Sequence, residues 1–64
     1  MAETVEFEDT HCIKDTDDAI LVVVDDRQVW IPQSQVDDDS EVYEKGHSGT
    51  LVISEWIAIQ KGLV

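Results

Sequence analysis

Asp37, Asp38 and Asp39 stand in a row with Glu41 two residues on, and these four carboxylates are the nearest thing in the chain to a chemical motif. Clustered oxygens of this kind suit a hard cation such as calcium or magnesium. A calcium loop asks for more than acid. Counted from Asp15, positions 1 and 3 are aspartates, but position 6 is Ile20 where the turn needs Gly, and position 12 is Asp26 rather than Glu. The expectation is a solvated acidic loop, with no metal and no cofactor. Nucleophiles are equally scarce. His11 and His47 are the two imidazoles and Cys12 the single cysteine. Cys12 adjoins His11, and neighbours on a strand point to opposite faces, which makes a Cys-His pair geometrically poor. Cys12 reads instead as a small buried hydrophobe, with no partner for a disulfide and no ligands at zinc spacing. Gly-rich phosphate loops, nucleophile elbows and HExxH are all missing, and 64 residues leave little room for a water-excluding pocket. The chain is not expected to be an enzyme.

Charge is the stronger signal. Fifteen Asp and Glu stand against four Lys and Arg, a formal net charge of −11. A phosphate backbone needs a Lys/Arg surface, so nucleic acid is not the expected direct partner, and anionic membranes are disfavoured for the same reason. A basic protein surface, reached by electrostatic steering, is favoured. Fourteen of the fifteen acids lie between Glu3 and Glu44, leaving only Glu55 in the last twenty residues. No apolar run is long enough to span a membrane and no signal-peptide pattern opens the chain, so a cytoplasmic protein of one small domain, residues 1–64, is expected. With 42% hydrophobic residues it should fold rather than stay disordered.

The acidic clusters punctuate runs that read as strands. Val5 and Phe7 alternate with Glu6 and Glu8, predicting a strand over residues 5–14 with a turn at 15–18. The unbroken apolar run 19–24 predicts a strand covered on both faces, as at the centre of a small barrel. Asp25 and Asp26 turn the chain into a third strand at 28–31, which Pro32 closes. Residues 33–40 read as a loop with a single helical turn. A fourth strand is expected at 41–45, a glycine-bearing hairpin loop at 45–49 and a fifth strand at 50–53. Ser54 then caps a short helix over 55–61, with Gly62 ending it. The expected fold is therefore α+β: a small five-stranded antiparallel sheet or partly open barrel of the SH3-like or OB-like kind, with one short C-terminal helix. Trp30 and Trp56 are expected to pack as lids on its core, the alternative being an exposed anchor at a protein interface.

From Ala19 onward the segments Ala19-Ile20-Leu21-Val22, Val29-Trp30-Ile31-Pro32-Gln33-Ser34-Gln35-Val36, Leu51-Val52-Ile53-Ser54-Glu55-Trp56-Ile57-Ala58 and Lys61-Gly62-Leu63 resemble a group of small phage and prophage proteins. Gln33 departs from that pattern, in which a basic residue commonly follows the proline. In size and charge the chain is also similar to the small anti-CRISPR proteins. That resemblance implies an acidic mimic of DNA, whose carboxylates dock on the basic DNA-binding surface of a host complex such as a Cascade-type CRISPR effector. Asp15, Asp17, Asp18, Asp25, Asp26, Asp37, Asp38, Asp39 and Glu41 are the candidate partner-binding residues, on the expectation that turns at neighbouring ends of a barrel merge into one patch. Three other readings stand beside it: an accessory module of phage replication or recombination that binds through the Trp30 to Pro32 strand end, a small structural homodimer, and an acidity that serves only solubility or high salt.

Overall fold

A computed structural model describes residues 3–64. The order of elements is β1 (Thr4–Asp15), β2 (Ala19–Val24), β3 (Arg27–Pro32), a 3-10 turn (Gln33–Gln35), β4 (Ser48–Ser54) and α1 (Glu55–Gln60). The strands form one antiparallel sheet in the order β3-β2-β1-β4. The sheet has four strands, not five, and it is open rather than closed into a barrel.

β1 holds the two halves of the sheet together because it bends. Thr4 to Phe7, and after a break Thr10 and His11, pair with β4, while His11, Cys12, Lys14 and Asp15 pair with β2. The β4 register shifts between Phe7 and Thr10, where Asp9 takes a left-handed φ of 56°. An extra residue in one strand bends it and raises its twist. The bulge leaves a carbonyl to satisfy, and the buried Thr10 hydroxyl donates to Phe7 O at 2.9 Å. A second irregularity falls between Cys12 and Lys14, and Ile13, next to inward-facing Cys12, points outward at 42% exposure.

The core lies on one face of the sheet. Ile20, Val22 and Val24 from β2, Val29 and Ile31 from β3, and Leu51 and Ile53 from β4 meet Ile57 and Ala58 of α1. β2 is thus fully covered on one face only: Ala19, Leu21 and Val23 are half-buried on the other. Its unbroken apolar run arises because Leu21 and Val23 lie across from Trp30 and Gln28, which shield them in part.

The missing strand is the segment before β4. Residues 36–41 run along the outer edge of β4, with one bridge between Val36 and Ile53 and bonds from Asp37 N to Val52 O (2.9 Å) and Glu41 N to Thr50 O (2.9 Å). Side chains take the other places in that ladder. Val52 N donates to Ser40 Oγ at 3.1 Å and Thr50 N to Glu41 Oε1 at 2.9 Å. Val42 points into the core and Tyr43 out, after which a turn from Glu44 to His47 fastens to β1 through Gly46 N to Cys12 O and Cys12 N to His47 O. β4 accordingly starts at Ser48, earlier than the expected hairpin loop allowed.

Both helix signals act as anticipated. Ser54 Oγ accepts from Ile57 N at 3.3 Å, and Glu55 occupies the first turn. At the far end Leu63 N reaches Ala58 O and Gly62 N reaches Ile59 O, the paired bonds of a Schellman motif, with Gly62 at φ 72° where a Cβ would be strained.

Candidate functional site

Most of the carboxylates are at the surface. Thirteen of the fifteen acids are exposed, Asp37 and Glu55 being half-buried. Among the described residues no Lys or Arg pairs with a carboxylate. The one contact at ion-pair distance among them is His47 Nε2 to Glu44 Oε1 at 3.9 Å, beside the edge-on stacking of Tyr43 on His47. Arg27 donates instead to the carbonyl of Gly62.

The nine candidate residues fall into three places rather than one patch. Asp15, Asp17 and Asp18 sit at the turn between β1 and β2, where Thr16 closes the hairpin: its hydroxyl accepts from Ala19 N and its N–H donates to Ala19 O. Gln33 ties this turn to the 3-10 segment, donating from its backbone to Asp18 O at 2.8 Å and from its side chain to Thr16 O. Gln33 also lines a shallow recess with Val36, Asp37, Asp38 and Tyr43, so it links that acidic pair to the β1–β2 turn.

Asp25 and Asp26 lie at the other end of β2. Two successive hairpins sharing a strand must turn at its opposite ends, and six residues at roughly 3.3 Å each separate the turns by about 20 Å. The expected merging of the turns therefore fails for this pair. Their φ angles of 51° and 65° mark a type I′ turn, which demands two left-handed residues, and aspartate tolerates that region better than most side chains.

Asp39 and Glu41 occupy the third place, a second recess shared with Thr4, Glu6, Thr50 and Val52. Glu6 was legible as an exposed strand residue, but its nearness to Asp39 and Glu41 depends on the strap over β4. Two of the nine carboxylates are engaged in the fold. Asp37 Oδ2 accepts from Asp39 N at 3.0 Å, and Glu41 Oε1 holds Thr50 N. No group of three or more His, Cys, Asp or Glu among the described residues is placed to hold a metal ion.

The two tryptophans do not act as core lids: Trp30 is 41% exposed and Trp56 60% exposed. β3 buries Val29 and Ile31 and so presents Trp30 to the other face, while α1 buries Ile57 and Ala58 and turns Trp56 outward. Cys12 is buried, as expected, and donates to Lys14 O at 3.2 Å. Burial pushes its thiol pKa up; a backbone hydrogen bond at Lys14 works against that rise, and the negative charges of Asp15 and Glu44 add to it.

No helix among the described residues is long and apolar enough to cross a membrane. Comparison with protein-family models, with curated proteins and with solved structures finds nothing that matches this chain.

Proposed function

We propose that this protein is a non-enzymatic inhibitor that acts as an acidic mimic of duplex DNA, blocking the basic DNA-binding surface of another protein. The observation that carries the reading is the exposure of thirteen carboxylates with, among the described residues, no Lys or Arg paired to any of them. Its longest dimension is 29 Å, over which B-DNA carries about 17 phosphate charges at ~1.7 Å each. A formal net charge of −11 on a body of that length comes within a factor of two of that density. The grouping at opposite ends of β2 gives two acidic fronts about 20 Å apart, so a basic cleft can be contacted on both sides. The setting is the host cytoplasm, and the reading joins the chain to small phage-encoded anti-CRISPR inhibitors.

Competition for a Cascade-type effector tests it. Added protein should displace target duplex from the effector in a mobility-shift assay, and rising salt should weaken the inhibition. Replacing Asp15, Asp17, Asp18, Asp37 and Asp38 by Asn should abolish inhibition while circular dichroism shows the fold intact. Inhibition that survives these changes and those at Asp25 and Asp26 removes mimicry as the mechanism. The exposure of Trp30 favours a second reading, an accessory module that holds a protein partner at the end of β3. Under it Trp30→Ala is the damaging change and charge neutralisation a mild one.

A further inference from the structure

The sheet ends on β3, whose one strand partner is β2. Among the described residues no backbone hydrogen bond from another segment reaches Gln28, Val29, Trp30 or Ile31. The type I′ turn fixes which groups are left over. A two-residue hairpin is closed by a hydrogen-bonded pair, here Val24 with Arg27, and bonded and non-bonded pairs then alternate along the ladder. Val29 and Ile31 fall on bonded positions. Gln28 and Trp30, opposite Val23 and Leu21, fall on non-bonded ones, so their N–H and C=O groups point away from the sheet. Pro32 is the next residue of that outward set, and a residue with no N–H is at home where none would be bonded. A strand edge of this kind is a template for another strand.

The surroundings of the edge select what pairs with it. Trp30 lies across from half-buried Leu21 on the outer face, an apolar platform beside the free backbone. Asp25 and Asp26 stand at the Arg27 end, and Asp17 and Asp18 at the Pro32 end, where Gln33 N binds Asp18 O. A second copy is a poor partner. Two β3 strands paired antiparallel would set Asp25 and Asp26 of one against Asp17 and Asp18 of the other at both ends, with a single Arg27 to oppose them at each. An extended segment ending in lysine or arginine meets attraction at the same two places.

We propose that β3 is a strand-addition site for an extended, basic-ended segment of a partner protein. The segment's main chain bonds Gln28 and Trp30, an apolar side chain rests on Trp30 and Leu21, and its terminal basic residues face the two acidic turns. The site does not require that the partner bind DNA, so it stands or falls separately from mimicry.

The test titrates the ¹⁵N-labelled full chain with a short capped peptide of alternating valine and threonine closed at both ends by lysines. The amides of Gln28 and Trp30 should shift most and exchange more slowly, at low salt and up to millimolar peptide. Gln28→Pro removes an outward N–H without touching the bonds to β2, so it should retain the fold and lose at least about tenfold in affinity, roughly 1.4 kcal/mol. Asp25→Asn with Asp26→Asn keeps residues that tolerate the turn and should weaken binding, as should replacing the peptide's lysines by glutamates. No shift at millimolar peptide, shifts centred away from β3, or equal binding by Gln28→Pro or by the glutamate peptide overturns the proposal.

Discussion

Glu41 accepts the backbone N–H of Thr50 through Oε1 at 2.9 Å, which takes one of the candidate partner-binding carboxylates into the fold itself. Gly49 makes room for it: a Cβ there would come within 2.7 Å of that oxygen, at a φ of 137° that side chains rarely adopt. Glu41→Gln keeps an acceptor and should change stability little, whereas Glu41→Ala should cost about 1 kcal/mol. Gly49→Ala should cost more than either, because it adds backbone strain to the loss of the Glu41 contact. Urea unfolding of the three variants checks the ranking, and equal stability of all three would separate Glu41 from the fold.

The Ser40 hydroxyl is the knot in the same strap. It donates to Val42 O at 2.8 Å and accepts from Val42 N at 3.2 Å and Val52 N at 3.1 Å, in a buried position. Ser40→Ala strands two buried N–H groups at once, each worth about 1–3 kcal/mol when unsatisfied. The expected loss is about 2–4 kcal/mol, accompanied by faster hydrogen exchange at Val42 and Val52. A loss under about 1 kcal/mol would mean that water replaces the hydroxyl.

These two side chains also explain where the sequence stopped being readable. Ser54 and Gly62 bracket α1 by local rules, and the acidic residues at 15–18 and 25–26 mark the hairpin turns, so the helix and the β1 to β3 meander were legible in the sequence. The strap was not. Val42 inward and Tyr43 outward is a strand pattern, but Ser40 and Glu41 bond β4 with side chains, a choice that depends on a segment about ten residues further on. The tryptophans fail for a related reason: their size argues for burial, yet the inward positions beside them already belong to Val29, Ile31, Ile57 and Ala58. For the candidate site, the identity and exposure of the acids were evident. Their division about Gln33, along the β4 strap and at the Asp25 turn follows from strand length and topology, which composition does not carry.

Cys12 gives a pH dependence with a definite sign. Burial raises its pKa above the ordinary thiol value, so the folded chain keeps the proton at a pH where the unfolded chain releases it. The unfolded state then binds fewer protons, and stability falls as pH rises. This contribution is fully present below the ordinary thiol range and is lost as the pH climbs through the raised folded value. Unfolding free energies of the protein and of Cys12→Ala, measured from neutral pH to above the thiol range, should converge as pH rises. A constant difference between them would contradict the raised value.

Self-repulsion among the carboxylates predicts how the isolated protein responds to salt. Exposed charges are screened beyond about 10 Å at 0.1 M salt, and the turns at opposite ends of β2 lie about twice that distance apart. Repulsion across the molecule therefore vanishes at modest ionic strength, while repulsion within a turn, between Asp25 and Asp26 or Asp17 and Asp18, persists until salt is much higher. Thermal unfolding should show the melting temperature rising from roughly 10 mM to roughly 500 mM sodium chloride, with the neutralised pair Asp25→Asn and Asp26→Asn stabilising at low salt and losing that advantage at high salt. Partner binding by mimicry or at β3 moves the opposite way, weakening as salt rises. A melting temperature that does not respond to salt would show that the acids are too dispersed to repel, and would count against the charge density on which mimicry rests.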